Sequence, residues 1–161
     1  MAEIKISIAA QRLTYVKANS DVKTYPVSTS LKGAGQKADS GMTPLGLHVI
    51  RAKIGQGLPI NSVFVGRRST GEIFTPAMMN EFPGRDWILS RIMWLSGKQP
   101  GFNRLGEVDT MKRYIYIHGT PYEDQLGQAV SHGCIRMSNL DVIDLFSRVE
   151  TGCPVEIKLG Y

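Results

Sequence analysis

The chain has 161 residues, 42% hydrophobic and 20% charged, an ordinary globular mix long enough to bury a core without staples. A net charge of +5 admits an acidic partner, but no dense Lys/Arg run or aromatic-basic motif marks nucleic acid. No apolar run is long enough to span a bilayer, and two cysteines, Cys134 and Cys153, do not imply a disulfide framework.

The opening Met1-Ala2-Glu3-Ile4-Lys5-Ile6-Ser7-Ile8 lacks the basic start, apolar block and cleavage site of a secretory signal. The expected location is therefore the cytoplasm, with a periplasmic or other extracytoplasmic location as the alternative if an export signal has been removed. Ile4, Ile6 and Ile8 alternate with polar residues and predict a first strand. Leu13–Val27 reads as a hairpin around the turn Ala18-Asn19-Ser20-Asp21. Lys32 to Gly41 is rich in Gly, Lys and Ser and is expected to be a mobile loop. Thr43-Pro44-Leu45-Gly46 is a rigid turn, followed by strands over Leu47–Ile54 and Ser62–Val65.

Thr75 to Asp86 carries Pro76, Pro83 and Gly84 and reads as irregular, with one helical turn. Trp87–Leu95 fits either period and is read as a strand. Gln99–Glu107 is loop, and Arg113–His118 alternates as a strand ending in Gly119. One segment reads clearly as a helix. Ser138 or Asn139 caps it, Asp141 and Asp144 sit early, and Leu140, Ile143, Leu145, Phe146 and Val149 form its apolar face. Gly152 and Pro154 end it, and Val155–Leu159 closes the chain as a final strand. Residues 1–161 show no repeat or linker. They read as one mainly β domain, a β-sandwich or open barrel with one main helix after the Cys134 loop.

The chemistry concentrates in Tyr116-Ile117-His118-Gly119-Thr120 and Ser131-His132-Gly133-Cys134-Ile135-Arg136-Met137. A lone cysteine is ordinarily a small buried apolar residue, and a lone histidine is ordinarily structural. Here two of the three histidines flank one cysteine loop. Gly133 lets the backbone turn sharply before Cys134, and a helix start just beyond it would stabilise a thiolate and an oxyanion. A thiol needs a base to become a nucleophile, and His118 stands at a strand end where it can serve. Zinc is the rival reading, with His118, His132, Cys134 and His48 as ligands, but the spacing matches no standard zinc motif.

These blocks resemble the YkuD-type L,D-transpeptidase family. Its signature is a strand ending in His-Gly-Thr, a loop, then Ser-His-Gly-Cys, an aliphatic residue and Arg or Asn. Here His118-Gly119-Thr120 leads, after a loop, to Ser131-His132-Gly133-Cys134-Ile135-Arg136. Thr43-Pro44-Leu45-Gly46 resembles the family's Thr-Pro-x-Gly turn, and Tyr25-Pro26-Val27-Ser28 another family block.

The resemblance implies action on the peptide stem of peptidoglycan or on muropeptides. Cys134 would attack the carbonyl of the third stem residue and release the terminal D-alanine through a thioester. His118 would be general base and then acid, oriented by the backbone carbonyl of Gly119. The amides of Gly133 and Cys134 would receive the oxyanion. His132 and Ser131 would shape the pocket, and the Arg136 fork would hold a substrate carboxylate unless a structural ion pair occupies it. No metal or organic cofactor is implied. Carbapenem-type acylating agents are the implied inhibitors.

The thioester then meets water or an amine. Without an export signal, hydrolysis in muropeptide recycling is the expectation, making the chain an L,D-carboxypeptidase. The alternative is an L,D-transpeptidase that crosslinks stems or exchanges D-amino acids. A wall-peptide binder without activity is a third reading, against which the presence of both His118 and Cys134 counts. Cys153 reads as packing.

Overall fold

Alternating apolar and polar residues build most of the molecule, and the computed structural model describes residues 2–18 and 21–161. The strands are β1 (Glu3–Ser7), β2 (Arg12–Ala18), β3 (Asp21–Pro26), β4 (Gly46–Ile54), β5 (Ser62–Val65) and β6 (Arg68–Ile73). Helix α1 (Pro76–Glu81) precedes β7 (Ile88–Gly97), β8 (Tyr116–Gly119) and β9 (Ile135–Met137). Helix α2 (Asn139–Arg148) and β10 (Pro154–Lys158) complete the chain. The expected hairpin forms as β2 against β3, although Asn19 and Ser20 of its turn lie outside the described residues.

The strands join in one curled open sheet, ordered β3-β2-β1-β10-β4-β7-β5-β6, with β8 on β7 and β9 on β8. The fold is thus mainly β and open-barrel-like, with one main helix. Parallel pairing of β1 with β10 sets Ile4 beside Val155 and Ile6 beside Ile157, so the two ends of the chain hold each other. Strand β7 is the hub. Its ladder to β4 runs from His48–Gly97 to Ile54–Ile92, and its ladder to β8 includes Ile92–His118 and Trp94–Tyr116.

The main core packs Ile4, Ile6, Leu13, Ile50, Met93, Leu95, Ile117 and Ile135 against Val142, Leu145, Phe146 and Val149 of the α2 segment. Each such side chain contributes roughly 1.5–3 kcal/mol on burial. A smaller cluster of Phe64, Ile92 and Tyr116, with Trp94 and Cys134 against it, fills the opposite side of β7 and β8.

Three expectations need correction, and one strand was not foreseen. Leu140 is 72% exposed, and Val142 takes its place in the core, because the buried stripe of α2 runs through Asn139, Val142, Leu145 and Phe146. Arg113 and Tyr114 are turn and Ile115 is irregular rather than strand, with Tyr114 at φ 56°, so β8 starts at Tyr116. Arg68–Ile73 forms a strand that alternation did not reveal. The Lys32–Gly41 loop is fastened rather than loose. Gly35 N–H donates to Thr43 O, Ala38 N–H donates to Glu107 O, and the Arg113 guanidinium donates to the carbonyls of Gly35, Gln36 and Met42.

Candidate active site

Strand alternation decides which side chains meet. β8 and β9 run parallel, with Ile117 opposite Ile135 and His118 opposite Arg136. Opposite residues share a face, and the face changes at every step. Ile117, Ile135 and Met137 enter the main core. Tyr116, His118, Cys134 and Arg136 therefore share the other face.

Cys134 does not precede a helix. It leads directly into β9, and α2 begins only at Asn139, so no helix N-terminus reaches the thiol. Its Sγ accepts the Tyr116 N–H at 3.3 Å and donates to Tyr114 O at 3.4 Å. Burial pushes the thiol up to about 11, with Asp86 adding to the rise. The Tyr116 bond, Arg136 and Arg113 oppose it.

His118 is 2% exposed. Its Nδ1 faces the Gly119 carbonyl at 2.7 Å. A carbonyl only accepts, so Nδ1 carries the proton and Nε2 keeps its lone pair. Burial lowers the imidazole to about 4, outweighing the Gly119 bond and Asp86, which raise it. Burial thus disfavours the charged form of each group. Among the described residues, no hydrogen bond joins them.

Gly133 stands at φ 132°, a backbone state that favours glycine. Its N–H donates to Ser131 Oγ at 3.2 Å, and Ser131 Oγ donates to Cys134 O at 2.6 Å. The Gly133 amide is therefore engaged inside the loop, and buried Ser131 braces that loop from within. Thr43 Oγ1 donates to Gly133 O at 2.9 Å and accepts the Ser30 N–H at 3.0 Å. The Thr43 turn is thus a strut beneath the cysteine loop.

His132 points outward, its side chain 79% exposed and its Nδ1 3.9 Å from Asp86 Oδ1. With Asp39, Arg113 and Tyr114 it lines a cavity of about 290 Å³. Arg136 is buried, its guanidinium carbon 5.5 Å from the Tyr122 ring centroid. Among the described residues it forms no ion pair, so the structural pairing weighed above does not occur. His48 is buried elsewhere, its ring nitrogens facing Gly46 O and Thr110 Oγ1 at 3.0 Å each. The zinc reading thereby loses its fourth ligand. Among the described residues, no group of three or more His, Cys, Asp or Glu is placed to hold a metal ion.

The family model for the L,D-transpeptidase catalytic domain, YkuD, matches residues 2–157. The chain belongs to the YkuD L,D-transpeptidase catalytic domain family. The protein named probable L,D-transpeptidase YbiS of Escherichia coli is 31% identical over 117 residues, covering 70% of this chain and 36% of that protein. The protein named putative L,D-transpeptidase YkuD of Bacillus subtilis is 52% identical over 47 residues, 29% of each.

Among solved structures, L,D-transpeptidase 3 from Mycobacterium tuberculosis with a faropenem-derived adduct aligns at TM-score 0.57 and 18% identity. That alignment covers 98% of this chain and 60% of that one. L,D-transpeptidase LdtMt1 in complex with imipenem aligns at TM-score 0.56 and 20% identity, covering 98% and 58%. The chain thus spans less than two thirds of these relatives. At such identities the two structures speak for the fold.

Within this L,D-transpeptidase domain, the sequence motif named Cys134, His118 and Arg136, while the β8–β9 register put them on one face and their supports went unread. Tyr114 carries no motif, and its left-handed backbone is a property of the folded turn. Asp86 sits in the Pro- and Gly-bearing segment before β7, whose chain path only the fold reveals. Thr43 was visible as part of a turn, though its bond to Gly133 was not.

Proposed function

We propose that the chain cleaves the bond between an L-centre and a terminal D-alanine in peptidoglycan stems, forming a thioester on Cys134. The carrying observation is the His118 tautomer. With Nδ1 held by Gly119, the free Nε2 lone pair is available to the thiol on the shared face. Cys134 Sγ turns from Tyr114 O toward His118, which takes the thiol proton as sulfur attacks the third residue's carbonyl. The resulting oxyanion is received by the Cys134 amide, since the Gly133 amide is engaged. Collapse breaks the C–N bond, and His118 returns the proton to the leaving D-alanine amine. Arg136, fixed and without a countercharge, holds the terminal carboxylate.

The names of the relatives favour an amine from a second stem as the acceptor, giving a crosslink. Water is the second reading, giving an L,D-carboxypeptidase of muropeptide recycling in the cytoplasm. No helix among the described residues is long and apolar enough to cross a membrane. The net positive charge suits acidic muropeptides in either case.

Incubation with a purified disaccharide tetrapeptide, followed by mass spectrometry, tests both halves. Crosslinked dimers, absent with Cys134→Ala, are the expected product. Loss of one alanine without dimers selects hydrolysis. No change in the stem, with Cys134 and Cys153 alkylated at equal rates in the native fold, would leave only a wall-peptide binder.

A further inference from the structure

A cluster beside Cys134 is left unused by the chemistry above. Arg67 occupies the turn between β5 and β6, at φ 64°. Its guanidinium carbon stands 4.5 Å from the Trp94 ring centroid and 5.1 Å from that of Tyr114. Its Nη1 donates to the Tyr116 hydroxyl at 3.0 Å. Trp94 and Tyr116 are register partners on β7 and β8, so Arg67 lies on the face that carries Cys134. Tyr114 and Tyr116 are also the residues whose backbone groups bond the Cys134 sulfur. One small set of residues thus positions both the thiol and the guanidinium.

Several other arginines have partners. Arg85 pairs with Glu72, and Arg148 pairs with Asp144 and Asp21. Arg91 and Arg113 give N–H groups to backbone carbonyls. Arg67 is stacked and tethered, yet forms no ion pair among the described residues. A guanidinium held by aromatic rings loses little freedom on binding, and its fork matches a carboxylate. Exposed Arg51 also stacks on Trp94, 5.6 Å from its ring centroid, and Arg136 is the buried cation on this face without an ion pair. It stands opposite His118, whereas Arg67 bonds Tyr116, two residues back along β8, or roughly 7 Å of strand. One carboxylate does not satisfy both.

We propose that Arg67, walled by Trp94 and Tyr114, is a second carboxylate subsite that takes an acidic group on the acyl side of a peptide stem. It rests on the wall-peptide reading above, in which Arg136 holds the terminal carboxylate on the leaving side. The subsite makes the enzyme selective for stems that are acidic before the attacked residue.

The test uses Cys134→Ala protein and two synthetic tetrapeptide stems, titrated by calorimetry. One stem has a free carboxylate on the residue preceding the attacked one, and the other has a primary amide there. The acidic stem is expected to bind about tenfold or more tightly, as for a charge-assisted bond. Arg67→Gln should abolish that preference and leave affinity for the amidated stem in place. Arg67→Lys, which keeps the charge but not the fork, should retain part of it. Arg136→Gln should weaken both stems alike.

A preference that survives Arg67→Gln overturns the proposal. So does equal weakening of both stems, which marks Arg67 as a hairpin anchor, and so does failure of the acidic stem to bind. Turnover of both stems by protein with Cys134 intact is measured separately. Equal turnover keeps the wall-peptide reading while the subsite fails, whereas neither binding nor turnover removes both.

Discussion

Cys134 and His118 have opposite titration shifts with one cause. Burial disfavours both charged forms, so the thiol rises to about 11 and the imidazole falls to about 4. Alkylation of Cys134 by iodoacetamide should therefore be slow at neutral pH and climb steadily toward alkaline pH. A fast plateau across neutral pH would show a preformed ion pair instead. Gly119 is the other residue on which the site turns. A Cβ there would stand 2.5 Å from Asn139 Oδ1 and 2.7 Å from Leu89 O, both inside the packed junction of β7, β8 and α2. Gly119→Ala should cost roughly 1–3 kcal/mol in urea denaturation. By displacing the carbonyl that orients His118, it should also lower turnover by about 100-fold. An unchanged rate would mean that the Gly119 carbonyl does not position the base.

The elements differ in how plainly the sequence displayed them. β1, β2 and β4 each have one face in the core, so their alternation is visible. β6 is an edge strand exposed along nearly its whole length, and no apolar period marks it. Helix α2 was legible through Ser138, whose side chain accepts from Asp141 N, but the rotation that buries Val142 and exposes Leu140 was not. Its apolar residues allow more than one stripe, and the sheet selects among them. The Thr43 turn shows how one element supports another. Thr43→Val removes a buried donor to Gly133 O and leaves the Ser30 N–H without its acceptor. The expected loss is about 1–3 kcal/mol of stability, with a drop in turnover of about tenfold as the cysteine loop relaxes. Equal activity in a folded variant would show that Ser131 alone holds the loop.

At the scale of the whole molecule, two buried imidazoles tie stability to pH. His48 and His118 are both lowered from 6.5 to about 4 by burial. The unfolded chain binds the extra protons between those values. The stability from keeping these rings neutral is therefore complete above about 6.5 and is lost as pH falls toward about 4. The slope is on the order of 1 kcal/mol per pH unit for each ring. Urea midpoints measured across that window should fall with acidification, and His48→Asn should flatten the decline. A wild-type profile with no slope there would mean that neither ring is held neutral by the fold. The same closure that buries His48 joins β1 to β10 and β10 to β4, linking both chain ends to one core.

The sequence by itself determined the mainly β class, the hairpin, the main helix and the candidate pair, Cys134 and His118. These follow from short-range periodicity and from two local blocks, Tyr116 to Thr120 and Ser131 to Met137. Only the tertiary structure decided the state of that pair. The burial that keeps Cys134 and His118 neutral comes from β5, β7 and the turn at Tyr114, which are remote from both in sequence or carry no motif. Pairing of β8 with β9 turned His118, Cys134 and Arg136 to one face, and the β5–β6 turn brought Arg67 beside them. Desolvation and register depend on what packs across the sheet, and neither is written in any single segment.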